Sequence, residues 1–146
     1  MQEILIRKLH DYIRVNNPDL LVVLEQGNRL TEFLHENVLS VDHLIDELLA
    51  ADKPAGFIEE LCMADLTKPL KPSRFNYLKE LLEEEFPKDF ERLQGSGILT
   101  MEIINMLTVC DPVFDEMNFS EEMEDDRHLR YAIMGAAHES LNKREE

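Results

Sequence analysis

Apolar residues recur every three or four positions along most of the chain, with polar residues filling the gaps, and alternating runs are absent. Ile4, Leu5, Leu9, Tyr12 and Ile13 mark a first helix. "NNP" at 16–18 ends it, because a residue before proline is steered out of the α region. A second segment starts at Asp19 and carries Leu20, Val23, Leu24, Leu30, Phe33 and Leu34; Gly27 weakens it and predicts a break near "QGN". Ser40 is a candidate N-cap for a third helix, whose Val41, Leu44, Ile45, Leu48 and Leu49 share one face. Pro54 suits the first turn of a fourth, with Phe57, Ile58, Leu61, Cys62 and Leu66 turned inward.

Ser73 is the expected cap of "YLKELLEEEFP", where Phe75, Leu78, Leu81, Leu82 and Phe86 form a stripe and the glutamates face water. Pro87 starts a short continuation through Phe90 and Leu93, and "QGSG" at 94–97 is the clearest loop. "ILTMEIINMLTVC", 98–110, is apolar on nearly every side, so it is expected to be buried by neighbours or by a partner. Asp111-Pro112 is expected to open a short further turn. A last helix should run from about Glu121 or Asp126 to Leu141, with "NKREE" as a frayed tail.

The pattern predicts an all-α fold: one domain over 1–146, six to eight helices packed around a buried helix near 98–110. Expected core positions are Leu9, Ile13, Leu24, Leu34, Leu48, Phe57, Leu61, Leu78, Leu82, Phe86, Ile103, Ile104, Leu107, Phe114, Leu129 and Ile133.

Composition narrows the function more than the fold. A net charge of −16 repels phosphate backbones and anionic lipid alike, which argues against direct nucleic-acid binding and against a membrane surface. The longest apolar run, "LLVVL" at 20–24, is far too short to span a bilayer. The charged start, "MQEILIRKLHDYIRV", lacks the apolar stretch of a signal peptide, and Cys62 and Cys110 stand alone in apolar contexts without metal spacing. The expectation is a cytoplasmic protein with two reduced core thiols.

Candidate chemistry is sparse. "EFLH", Glu32 to His35, has the Glu-x-x-His spacing of di-iron sites, but its only companion is Asp125 with His128 in the acidic block. His43 and Glu47 are an i,i+4 pair with no third ligand in sequence. Twelve-residue calcium-loop frames beginning at Asp111 or Asp115 place apolar residues at ligand positions. No nucleophile elbow or P-loop occurs, and Lys68, Lys71 and Arg74 read as a basic linking loop. No cofactor is expected. What remains is the block 111–126, "DPVFDEMNFSEEMEDD", with eight carboxylates and no base.

Four fragments, "LHDYIRVNNPDL", "PSRFNYLKELLEEEFP", "CDPVFDEMNFSEEM" and "RHLRYAIMGAAHESL", resemble in order and spacing family 1896 of the domains of unknown function, small acidic proteins of the Bacteroides group. The likeness covers most of the chain. It rests chiefly on Ser73, Phe75, Glu85-Phe86-Pro87, Pro112 with Phe114, and Tyr131 with Gly135, and is looser before residue 55. Ala132 and Ile133 depart from a more polar family pattern. The resemblance implies a helical intracellular protein often encoded near conjugative elements, and no activity or cofactor.

The leading expectation is therefore a non-enzymatic interaction or adaptor protein, with itself as one possible partner through 98–110 or Gly135-Ala136-Ala137. A second reading makes Glu121, Glu122, Glu124, Asp125 and Asp126 an acidic surface imitating DNA phosphates, as in an anti-restriction protein. A third, a metal-dependent enzyme, requires His35, His43 or His128 to meet carboxylates in space.

Overall fold

The computed structural model describes residues 1–145, with side chains through 143, and its secondary structure over that span is helical without a strand. The all-α expectation holds. The chain divides into two compact units, Met1–Lys71 and Pro72–Glu146, each with its own cluster of buried apolar residues.

In the first unit α1 (Gln2–Asn16) is followed by α2 (Pro18–Gln26), α3 (Leu30–Leu39), α4 (Asp42–Ala50) and α5 (Ala55–Thr67), closing with a 3-10 turn at Lys68–Leu70. α1 packs on α2, α3 and α5, α2 on α3, and α4 on α5. Leu5, Leu9 and Ile13 of α1 meet Leu34, Val38, Val41, Ile45, Ile58, Cys62 and Leu66. The second unit contains α6 (Arg74–Glu85), α7 (Pro87–Gly95), α8 (Leu99–Glu116), a 3-10 turn at Glu121–Met123, and α9 (Arg127–Glu145). Here α6 packs on α7, α8 and α9, α7 on α8, and α9 on α8. Helix α8 is its spine, burying Leu99, Ile103, Met106, Leu107, Cys110 and Phe114.

The two units repeat one local plan. Asn17 and Phe86, each before a proline, leave the α region in the same way, at φ −138°, ψ 54° and φ −131°, ψ 56°. Asn28 and Gly97 both take positive φ, 55° and 74°. After each, an amide reaches back to close a Schellman-type cap: Arg29 to the Leu24 carbonyl at 2.8 Å and Ile98 to the Leu93 carbonyl at 3.1 Å. These pairs lie sixty-nine residues apart (17 and 86, 28 and 97). At that spacing seven buried residues of each unit coincide: Leu9, Ile13, Leu24, Leu34, Val38, Val41 and Ile45 match Leu78, Leu82, Leu93, Ile103, Leu107, Cys110 and Phe114. The order of helix contacts coincides too, with α3 and α4 together standing where α8 stands. The tight turn at Ser40 and Val41, where i→i−3 bonds run to Asn37 and Val38, divides that rod without shifting its register. In the closing helices the match continues at seventy-one, Ile58, Cys62 and Leu66 against Leu129, Ile133 and Ala137.

Several local expectations are corrected. Phe57 and Leu61, taken as core, are 41 % and 38 % exposed, because α5 turns Ile58, Cys62 and Leu66 inward instead. Leu48, Phe86 and Ile104 are only half-buried. Ser40 caps nothing; its hydroxyl donates to the Asn37 carbonyl and α4 starts at Asp42. Pro54 stands just before α5 rather than in its first turn. Pro112 opens no new turn, since α8 runs through it to Glu116. The bond Pro112 removes is the one to Thr108, both residues lie on the exposed side, and buried Phe114 anchors the turn beyond. Of the two starts expected for the last helix Asp126 holds, as the cap of α9 at Arg127, while Glu121 lies in a separate 3-10 turn; α9 continues through Glu145 where a frayed tail was expected, and Glu146 lies outside the described residues. Ser73 does cap α6, accepting from the Asn76 amide at 3.0 Å.

The turn between α7 and α8 sets the direction of the spine, and Gly97 carries its left-handed residue. A Cβ there meets nothing within 4 Å, so the cost of Gly97→Ala is that of the backbone alone. It should destabilise the second unit by about 1–2 kcal/mol, lowering its melting midpoint by roughly 4–8 °C per kcal/mol for a unit of this size. Thermal melts followed by circular dichroism check this, and an unchanged midpoint would refute it.

Candidate docking face

The sequence-predicted site residues do not converge. Glu32 and His35 are both exposed on α3, and His128 and Asp125 are exposed at the start of α9. His43 Nε2 lies 2.9 Å from Glu47 Oε1 on the surface of α4, the i,i+4 pair read from the sequence. Among the described residues no three His, Cys, Asp or Glu side chains are grouped to hold a metal ion. Of the five acidic candidates, Glu121, Glu122, Glu124 and Asp125 are exposed, while Asp126 is half-buried and accepts from the Leu129 amide at 2.9 Å as the N-cap of α9. An exposed stripe of all five does not form, because one carboxylate is committed to starting the helix.

Both cysteines are buried and free. Burial, with Asp111 alongside, pushes the Cys110 thiol up to about 12, and burial with Asp65 raises Cys62, so neither is an activated nucleophile. Arg74, read as part of a basic loop, is committed within its own unit. It lies 3.2 Å from Asp111 Oδ1 and 2.6 Å from Asp115 Oδ1, with its guanidinium over the Phe114 ring. Arg130 likewise bridges Glu84 at 2.8 Å and Glu85 at 2.9 Å, tying α9 to the end of α6. A pocket of about 280 Å³ in the first unit is lined by Leu9, Leu20, Phe33, Asn37, Leu66, Pro69 and Leu70. Its lining contains no titratable side chain, and the Asn37 amide donates to the Phe33 carbonyl at 2.7 Å.

The unusual surface lies on the spine itself. With 3.6 residues per turn, Ile98, Met101, Asn105, Thr108, Val109 and Pro112 fall within one third of the circumference of α8. All six are exposed, Ile98 at 42 %, Met101 at 52 % and Val109 at 41 %. None is charged. The strip is about 21 Å long at 1.5 Å per residue, and it ends at the exposed carboxylates Asp115 and Glu116. Sequence reading expected 98–110 to be buried by neighbours or by a partner; the structure makes about half of it core and leaves most of the remainder as open surface.

The first unit supplies a comparison within the same molecule. At the sixty-nine-residue spacing the strip corresponds to Arg29, Glu32, Glu36, Leu39, Ser40 and His43, all exposed. That is an ordinary solvated face, with three formal charges and a histidine where the second unit has none. Asp115 and Glu116 correspond to Asp46 and Glu47, so the acidic end is common to both units. The plan therefore does not require an uncharged outer face on this rod, and the difference belongs to the second unit alone.

No family model matches this chain, and no curated protein or solved structure does so either. No described helix is long and apolar enough to cross a membrane.

Proposed function

We propose that the protein is a non-enzymatic protein–protein interaction module and that the outer face of α8 is its docking surface. The observation that carries this reading is the contrast between equivalent faces: Ile98, Met101, Asn105, Thr108, Val109 and Pro112 stand where the first unit places Arg29, Glu32, Glu36, Leu39, Ser40 and His43, so that three charges and a histidine are absent from the second. Single exposed apolar residues are normal on any protein. A charge-free strip some four turns long, in a chain with 32 % charged residues, is better explained by a partner that removes it from water. The DNA-mimic reading has less support, since Asp126 serves as a helix cap, and the enzyme reading has dispersed, exposed histidines.

Site-specific crosslinking in the producing cell tests it. A photoreactive benzophenone residue in place of Met101 should give discrete protein adducts, and the same residue in place of Glu32, the equivalent position of the first unit, should not. The absence of adducts at 101, or the same adducts from both positions, would overturn the reading.

A further inference from the structure

We infer that the occupant of the α8 strip is an amphipathic helix with a basic end, an inference that rests on the docking reading above. Shape comes first. A strip about 21 Å long and one helix diameter, about 10 Å, across presents roughly 200 Å² of flat area, well below the ~800 Å² per partner of a standard globular interface. It matches in length one apolar stripe of about four helical turns.

Charge then selects the kind of helix. The exposed side chains of the strip are uncharged from Ile98 to Pro112, with Glu102 buried at its edge, and the strip passes at its C-terminal end into the exposed carboxylates Asp115 and Glu116, with exposed Glu121, Glu122, Glu124 and Asp125 following in the chain. The C-terminus of α8 adds its own partial negative charge at that end. Asp115 is partly neutralised by Arg74 at 2.6 Å, whereas Glu116 is exposed beside it. The whole unit, residues 72–146, holds eighteen Asp and Glu against eight Lys and Arg, a formal charge of −10. A second copy laid along the strip would add a chain of net charge −16 to this surface, so self-association is opposed by the same field that attracts a cation. An apolar stripe that finishes in lysines or arginines satisfies both halves of the surface.

The test uses the full chain and a defined probe, a synthetic helical peptide of eighteen residues with a Leu/Ala stripe and four lysines at one end, titrated by calorimetry near physiological salt. Binding to the native chain should be lost by at least tenfold in the double variant Met101→Glu/Val109→Glu. Those substitutions raise the negative charge, so a contact that was merely electrostatic would tighten; unchanged or tighter binding overturns the inference. Both positions are exposed, and an unchanged melting curve establishes that the variant folds. Met101→Lys is a second variant and should weaken binding as well. A control peptide with its lysines replaced by glutamates should not bind. Failure of the lysine peptide while Met101 still crosslinks to a partner in cells overturns the basic helix and leaves the docking face standing. An adduct of twice the chain's mass would identify a second copy as the occupant and also overturn it.

Discussion

Phe114→Ala should cost the second unit about 3–5 kcal/mol, the usual price of emptying a large aromatic site in a core. The ring is fully buried at the last full turn of α8, edge-on to Tyr77 at 5.5 Å and tilted against Phe119 at 4.8 Å. Its face lies under the Arg74 guanidinium, 5.3 Å from the centroid, and Arg74 in turn holds Asp111 and Asp115. Removing the ring therefore leaves a cavity between α6, α8 and the turn after α8, and takes away the platform that orders an ion-pair cluster. A unit of about 75 residues has roughly 4–11 kcal/mol of stability, so most of the margin disappears. Hydrogen exchange should show protection of α6 to α9 falling by roughly two to four orders of magnitude, with α1 to α5 little changed. An equal loss in both units, or a cost below about 1 kcal/mol, would contradict the assignment of Phe114 to the centre of a separate core.

Expressed apart, residues 1–71 and 72–146 should each fold. Each has a continuous apolar cluster and a complete set of helix contacts of its own. At this length a chain buries about 60 % of its unfolded surface, which supports many small domains unaided. The expected result is a cooperative thermal transition for each piece by circular dichroism, with the two spectra adding to that of the whole chain. Pieces that are helix-poor, or that melt without cooperativity, would show that one unit depends on the other for its fold.

Much of the local structure was legible because it is decided locally. Asn17 and Phe86 precede proline, so α1 and α6 end where the steric rule ends them. Ser73 has the hydroxyl an N-terminus needs, and the three- and four-residue apolar spacing marks most of the buried faces correctly. The two expected core residues that proved exposed fell where two faces of one helix were both apolar. In α5 the sequence offers Phe57 and Leu61 beside Ile58, Cys62 and Leu66, and only the packing of α1 and α4 selects the second set. In 98–110 the same ambiguity concealed an open strip behind a buried one. The repeat was missed because it is written in burial and not in identity. "PDLLVVLEQGNRLT" and "PKDFERLQGSGILT" share Pro18 with Pro87, Leu24 with Leu93 and Leu30-Thr31 with Leu99-Thr100, and little else.

By itself, then, the sequence determined that this chain is helical, where most helices stop, that its two thiols sit in apolar surroundings and that it carries a net charge of −16, since each of these follows from residue counts, single residues or spacing within a few turns. Tertiary structure decided how the helices group into two units and that Asp126 caps a helix. It also decided that one face of α8 meets water uncovered. Those facts depend on which of several apolar faces finds a neighbour, and that choice is made by contacts between residues far apart in the chain.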